Sequence, residues 1–225
     1  FDDDPDLPED AIPEAPLVNI PAEDEDEDAG ADADGDLHDA WAAGDEDPNA
    51  DPRWCPAGTA DRLARVKSPL IRLHHEIVDF CRYLEPTESE SAARSAAVER
   101  VREAVASIWP GARFEVHGSF ATGMYLPNSD IDAVILGSGC KSPATCLKAL
   151  ALSLSRKGMA RKIQLIAKAR VPIVKFIEKQ SGFQFDISFD VANGPASAEI
   201  VRANTRRFPA LRPLVTVLKA FLQQR

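Results

Sequence analysis

The 225 residues carry 36 acidic and 26 basic side chains, a formal net charge of −10. That total averages two unlike stretches: residues 1–52 hold 21 Asp and Glu and neither Lys nor Arg, leaving 15 acidic against 26 basic side chains, a net of +11, in the remainder. No apolar run reaches the roughly 18 residues of a membrane span and no charged-then-apolar leader opens the chain, so neither a transmembrane segment nor a secretion signal is read.

The acidic stretch 1–52 has too little apolar surface to offset the entropy of ordering and is expected to be disordered. Its charge suits a solubilising tail, a docking site for a partner, or a screened competitor for the basic remainder. Residues 53–86 are expected to form an N-terminal helical segment. Ser68 followed by Pro69 marks a helix start, and Leu70, Leu73, Ile77, Phe80 and Leu84 recur at helical spacing before Pro86. A second helix is expected from about Ser91, with Val98, Val101, Val105 and Ile108 on one face, until Pro110-Gly111 ends it. Arg113 to Val116 is a short strand entering Gly118-Ser119, and Ile131 to Leu136 is a second strand. Ser142-Pro143 then caps a helix carrying Leu147, Leu150 and Leu154.

Three β-rich segments follow, "KIQLIAKA", "VPIVKFI" and "FQFDISFDV". Pro172, Lys168 and Lys175 place the first two near a sheet edge or a solvated face. In the third, Phe185, Ile187 and Phe189 share one face while Gln184, Asp186, Ser188 and Asp190 share the other. Helices resume after Asn193-Gly194-Pro195, the last through Leu214, Val217, Leu218 and Phe221. The order predicts an α/β sheet domain over 87–192 and the beginning of a helical domain over 193–225. Phe1 in first position and an apolar-periodic stretch running to Arg225 suggest a piece cut from a longer chain. Cys55, Cys81, Cys140 and Cys146 lack paired metal-ligand spacing and are too few for a disulfide framework, so inert thiols in a reducing compartment are expected.

Asp130 and Asp132 interrupt an otherwise apolar strand. At about 3.3 Å per residue they project to one face about 6.6 Å apart, while Ile131 and Ala133 face the core. Carboxylates this close repel unless a cation lies between them, which favours a divalent metal completed by substrate phosphates. Solvated strand-edge aspartates are the plainer alternative for such a pair on its own. Here Gly118-Ser119 stands upstream, where a Gly-rich turn aims backbone N–H groups at phosphate, and Asp186 lies on the polar face of a later strand.

Gly-Ser, a spacer, Asp-hydrophobic-Asp and a third Asp on a later strand resemble the nucleotidyltransferase superfamily that includes DNA polymerase β and the poly(A) polymerases. "GSFATGMYLPNSDIDAVI", "VPIVKF", "FDISFDVANG", "LRPLVTVLKAFLQQR" and, upstream, "LHHEIVDFCRYLEP" resemble the noncanonical poly(A) polymerases of the TRAMP type over roughly residues 64 to 225. The resemblance implies an α/β (α+β) palm domain with a mixed sheet, followed by the start of a mostly helical central domain. It implies a nuclear, template-independent RNA 3′-terminal nucleotidyltransferase that adds AMP from ATP. Two Mg²⁺ or Mn²⁺ ions would be held by Asp130, Asp132 and Asp186, the last serving the ion that activates the attacking oxygen.

By the same resemblance Gly118, Ser119, Ser129, Gly194 and Lys219 would bind the nucleotide. Their plainer readings are a helix cap for Ser119, turn residues for Ser129 and Gly194, and a snorkelling surface lysine for Lys219. His117 reads as a strand-end residue. Asp190 stands where many relatives have Asn, which adds a negative charge near the site; its plainer reading is a solvated bystander. The Gly-Gly…Ser-Tyr motif that completes base recognition in the family is absent, which leaves a terminal uridylyltransferase as an alternative, with a non-catalytic RNA- or protein-binding scaffold as another. The partners implied are an RNA 3′ end, a nucleoside triphosphate and RNA-binding or helicase proteins. Arg161, Lys162, Lys168, Arg170 and Lys175, with Arg202, Arg206, Arg207 and Arg212, suggest a phosphate track.

Overall fold

The computed structural model describes residues 55, 59–140, 142–191 and 193–223; the acidic stretch expected to be disordered lies outside them. A short helix α1 (Thr59–Ala64) precedes α2 (Pro69–Tyr83) and α3 (Glu88–Ala106). Next come β1 (Arg113–Val116), the one-turn helix α4 (Gly118–Thr122), β2 (Ile131–Leu136) and α5 (Pro143–Arg156). β3 (Ala160–Ile166), β4 (Ile173–Glu178) and β5 (Gln184–Phe189) lead into α6 (Asn193–Arg207) and α7 (Leu211–Gln223).

The local chemistry accounts for these boundaries. α3 begins three residues before the expected Ser91 because Thr87 and Glu90 form a reciprocal capping box, which satisfies two otherwise orphaned donors. Ser142 caps α5 by accepting from the Thr145 N–H at 3.3 Å. Ser68 stands at the N-cap of α2 but its side chain makes no capping bond.

The strands form one mixed sheet in the order β1-β2-β5-β4-β3, with β2 and β5 parallel and the other neighbours antiparallel. Central placement explains why β2 and β5 carry the most apolar runs: Ile131, Ala133, Ile135, Phe185 and Ile187 are fully buried. Val101 and Val105 of α3 and Leu147, Leu150 and Leu154 of α5 belong to the same core. Trp109 meets Phe189 edge to face at 5.2 Å, and Phe176 stacks on Phe185 at 5.4 Å across β4 and β5.

Several expectations need correction. Of these two strands β3 is a sheet edge, whereas β4 lies inside the sheet, between β3 and β5. Lys175 therefore does not mark an edge strand, and its charge is met by carboxylates instead. Ser188 shares the polar face but is buried, its hydroxyl donating to the Ala133 carbonyl at 3.4 Å. Asp190, four residues past Asp186 and so about 13 Å along the chain direction, accepts from the Gly137 N–H at 2.9 Å and ties the far ends of β5 and β2 together. Its charge therefore lies away from the site; it is solvent-exposed, yet tied to the Gly137 N–H. Cys140 and Cys146, expected as inert thiols, form a disulfide. Positive φ at Gly137 and Gly139 turns the loop back toward the start of α5, bringing the two Cα atoms within 6.1 Å, a fold-back that cysteine spacing does not reveal.

On the other side of the chain, α2 meets α7: Leu84, Leu126 and Ala220 form a second small core with Phe80 against it. Arg202 and Arg212 donate to the carbonyls of Ala121 and Gly123 at 3.0 and 2.7 Å, pinning α4 to the two last helices. These two arginines of the supposed phosphate track are thus committed to backbone.

The capping contrast is measurable. Thr87→Ala should lower the unfolding free energy by about 1 kcal/mol in denaturant titration, and Ser68→Ala by markedly less, since only Thr87 makes a capping bond; equal losses would contradict the assignment.

Candidate active site

β2 and β5 are paired in register, so Asp132 and Asp186 stand directly opposite each other. Asp130 lies just ahead of β2, two residues from Asp132 and on its face, as the complete burial of Ile131 and Ala133 on the opposite face requires. Across the antiparallel β4–β5 pairing, Lys175 is the direct partner of Asp186. Its ammonium reaches Asp186 Oδ2 at 3.0 Å and Asp130 Oδ2 at 3.5 Å. The three sequence-predicted carboxylates therefore do come together, around a lysine that sequence reasoning assigned elsewhere.

Their electrostatics follow from that crowding. Burial pushes the Asp132 carboxyl above the ordinary range; His117 draws it back, the charges of Asp186 and Asp130 raise it further, and Lys175 opposes them. Burial also raises Asp186, against the hydrogen bond and charge of Lys175 and with the repulsion of Asp130. The hydrogen bond to Asp186 in turn raises Lys175. Even so, Asp186 Oδ1 is buried with no hydrogen-bond partner, a costly condition for a carboxylate oxygen.

The loop into Asp130 is held from below. Arg94 of α3, 2% exposed, donates to the Ser129 carbonyl at 2.8 Å and to the Pro127 carbonyl. Its guanidinium lies over the rings of Phe183 and Tyr125, 4.4 and 4.8 Å from their centroids. Ser129 itself accepts the Leu126 N–H on its hydroxyl at 2.9 Å, closing the turn before Asp130.

Gly118 is required by space as well as conformation. Its φ is +63°, and an added Cβ would fall 2.1 Å from Asp132 Oδ2, so the backbone passes against the carboxylate as no other residue allows. The His117 N–H donates to the Asp132 carbonyl at 2.9 Å. Gly194, at the start of α6, plays the matching part beside the His117 ring, where a Cβ would come within 2.7 Å.

Gly118, Ser119, Gly194 and Lys219 line one cleft of 260 Å³ together with His117 and Thr122, near the lower size of small-molecule sites. Lys219 is no surface lysine: its ammonium donates to the Met124 carbonyl at 3.0 Å, and burial lowers its pKa while Asp132 raises it. Ser129 is not among the residues lining this cleft. The sequence passed over Arg94 and the packing role of His117, and gave Lys175 a different role; an Arg within an apolar helical face was the available signal for Arg94.

As the side chains stand, no group of three or more His, Cys, Asp or Glu among the described residues is placed to hold a metal ion; the Lys175 ammonium bridges Asp130 and Asp186 instead. The donor set nevertheless fits a hard divalent ion. One or two carboxylates with substrate phosphates suffice for magnesium, and the buried Asp186 Oδ1 lacks a partner that such an ion would supply.

A five-stranded mixed sheet with carboxylates on its two central parallel strands, flanked by a Gly-Ser turn, is the nucleotidyltransferase palm. Residues 73–204, more than half of the chain, match the family model described as "Poly(A) RNA polymerase, mitochondrial-like, central palm domain". The chain belongs to this family of poly(A) RNA polymerases. Poly(A) RNA polymerase protein 1 of Eremothecium gossypii is 44% identical over 151 residues, 67% of this chain and 24% of the relative. The Drosophila melanogaster protein Trf4-2, named as an inactive poly(A) RNA polymerase, is 39% identical over 156 residues, 68% of this chain and 38% of the relative. The solved polymerase core of TRAMP, an RNA surveillance complex, superposes with a TM-score of 0.61 at 41% identity, covering 67% of this chain and 47% of that one. The chain thus spans less than half the length of each.

Two outcomes follow from this geometry. Gly137 also has positive φ, +72°, but open space where a Cβ would sit. Gly137→Ala should therefore cost only the left-handed backbone term of about 1–2 kcal/mol, and Gly118→Ala distinctly more because Asp132 must move; equal losses in denaturant titration would contradict the close approach.

Raised carboxyl pKa values also make folding favour protonated Asp132 and Asp186. That contribution is fully present below the ordinary carboxylate value of about 3.9 and is lost as pH rises through the raised folded values. Metal-free Asp132→Asn should consequently melt above wild type at neutral pH, with the gap closing as pH falls toward about 4. A gap that does not change with pH would refute the electrostatic cause.

Proposed function

We infer that the chain is the palm and the beginning of the helical domain of a template-independent RNA 3′-terminal nucleotidyltransferase that transfers AMP from ATP and releases pyrophosphate. The observation that carries this reading is the in-register pairing of Asp132 with Asp186 beside Asp130, adjoining the cleft lined by Gly118, Ser119, Gly194 and Lys219. The family membership and the likeness to the TRAMP polymerase core support it. In this reading residues 87–192 are the catalytic domain and 193–225 open the helical domain, with 53–86 packing beside it.

Each residue then has a chemical task. Asp130, Asp132 and Asp186 hold two Mg²⁺ or Mn²⁺ ions; when bound, these supply Lewis-acid activation of the RNA 3′-hydroxyl and charge neutralisation of the leaving pyrophosphate. Asp186 accepts the proton of that hydroxyl. Gly118 and Ser119 offer backbone N–H and hydroxyl groups to the triphosphate, Ser129 adds its hydroxyl proton from the neighbouring turn, and Gly194 lets the nucleotide approach closely. Lys219, already desolvated, exchanges its bond to the Met124 carbonyl for a phosphate oxygen. No covalent nucleophile is needed, so alignment and preorganised charge carry the rate.

Arg161, Lys162, Lys168 and Arg170 on and after the edge strand β3 remain available as a phosphate track for RNA. RNA-binding or helicase partners and a nuclear setting complete the reading. Among the described residues no helix is long and apolar enough to cross a membrane.

The inactive Drosophila relative keeps the scaffold reading in view; the intact carboxylates of this chain oppose it. The full-length protein, an oligoribonucleotide, Mg²⁺ or Mn²⁺ and each nucleoside triphosphate separately decide the matter. ATP-dependent extension is expected, and Asp132→Ala should abolish it. Extension with UTP alone would indicate the uridylyltransferase, no extension with any nucleotide the scaffold, and residual activity of Asp132→Ala within about tenfold of wild type would contradict the metal-ligand role.

A further inference from the structure

Lys175 occupies an unusual place for a residue of β4. Three carboxylates converge where two parallel strands begin, and its single ammonium lies within salt-bridge distance of two of them, 3.0 Å from Asp186 and 3.5 Å from Asp130. A cation bridging those two carboxylates stands where a divalent ion held by both would stand. That bridge leaves out the third carboxylate, Asp132, and Asp186 Oδ1 remains buried without a partner. The ammonium is nonetheless easily released: the Lys175 side chain is 36% exposed, and lysine is a compact, strongly hydrated charge on a flexible stem.

We propose that Lys175 is an internal counter-ion that fills the divalent-ion position between Asp130 and Asp186 in the metal-free protein and is displaced when the ion binds. The pairing register fixes it there, because Lys175 opposes Asp186 across β4–β5 just as Asp132 opposes Asp186 across β2–β5. The lysine thereby limits repulsion among the empty carboxylates, and it sets the metal affinity by competition. This rests on the carboxylates being a metal site, and adds that the site carries its own competitor.

Mn²⁺ titration of the metal-free, full-length protein, followed by electron paramagnetic resonance without RNA or nucleotide, tests the proposal. Lys175→Met and the polar Lys175→Gln, either of which serves if the other folds poorly, should bind Mn²⁺ at least about tenfold more tightly than wild type, since the ion then has no ammonium to displace from the two carboxylates. Both should melt below wild type without metal and gain more than wild type from saturating Mn²⁺. Lys175→Arg, which keeps the charge, should bind like wild type. Lys219→Gln removes a charge that acts on Asp132 but touches neither Asp130 nor Asp186, and should tighten binding less.

Unchanged or weaker Mn²⁺ affinity in Lys175→Met and Lys175→Gln would overturn the counter-ion role while leaving the metal site standing. Equal tightening in Lys219→Gln would also overturn it, reducing Lys175 to one charge among several. Failure of wild type and all variants to bind Mn²⁺ would overturn both this proposal and the metal-site reading beneath it.

Discussion

Like-charge crowding at the start of β2 and β5 is the constraint on which the local structure turns. Asp132 and Asp186 face each other in register with Asp130 alongside, and burial compounds their repulsion. A folded chain bears that cost only where rigid surroundings impose it. Here the imposition comes from the two most buried strands of the sheet, with Ile131, Ala133, Phe185 and Ile187 locked in the core beneath the carboxylates. The Lys175 ammonium supplies partial compensation from the neighbouring strand.

The surrounding elements make that cluster accessible and fixed. Gly118 lets the backbone pass against Asp132 without a side chain between them. Arg94 spends its guanidinium on the loop that delivers Asp130, clamped between two aromatic rings. A buried guanidinium with carbonyl partners fixes a loop more rigidly than apolar packing alone, because leaving its donors unpaired is costly. From the other side, Arg202 and Arg212 fasten α4 to α6 and α7, so Gly194 and Lys219 close one wall of the cleft.

Much of this was legible in the sequence because it rests on local rules. An apolar run identified β2 and period-two alternation β5, and the two-residue strand repeat placed Asp130, Asp132 and Asp186 on polar faces; proline and serine placed the start of α5. What escaped depends on strand order and long-range pairing. Lys175 looked like a marker of a solvated strand because nothing in "VPIVKFI" says that β4 inserts between β3 and β5. Asp190 looked like part of the site because period two cannot tell one end of a strand from the other, whereas its bond to Gly137 lies at the far end. The disulfide needed the fold-back of the Gly137–Cys140 loop. The start of α3 shifted to Glu88 because the capping box of Thr87 outweighed the apolar spacing that pointed to Ser91.

The account stands on Asp130, Asp132 and Asp186 forming one divalent-ion site, and anomalous scattering from Mn²⁺-soaked crystals tests that most directly. The expected map has a strong peak in direct coordination contact with Oδ atoms of at least two of these residues, one contact filling the open position on Asp186 Oδ1, and the Lys175 ammonium withdrawn from between Asp130 and Asp186. Ordered carboxylates with no anomalous density, at Mn²⁺ concentrations that saturate a weak site, would contradict it.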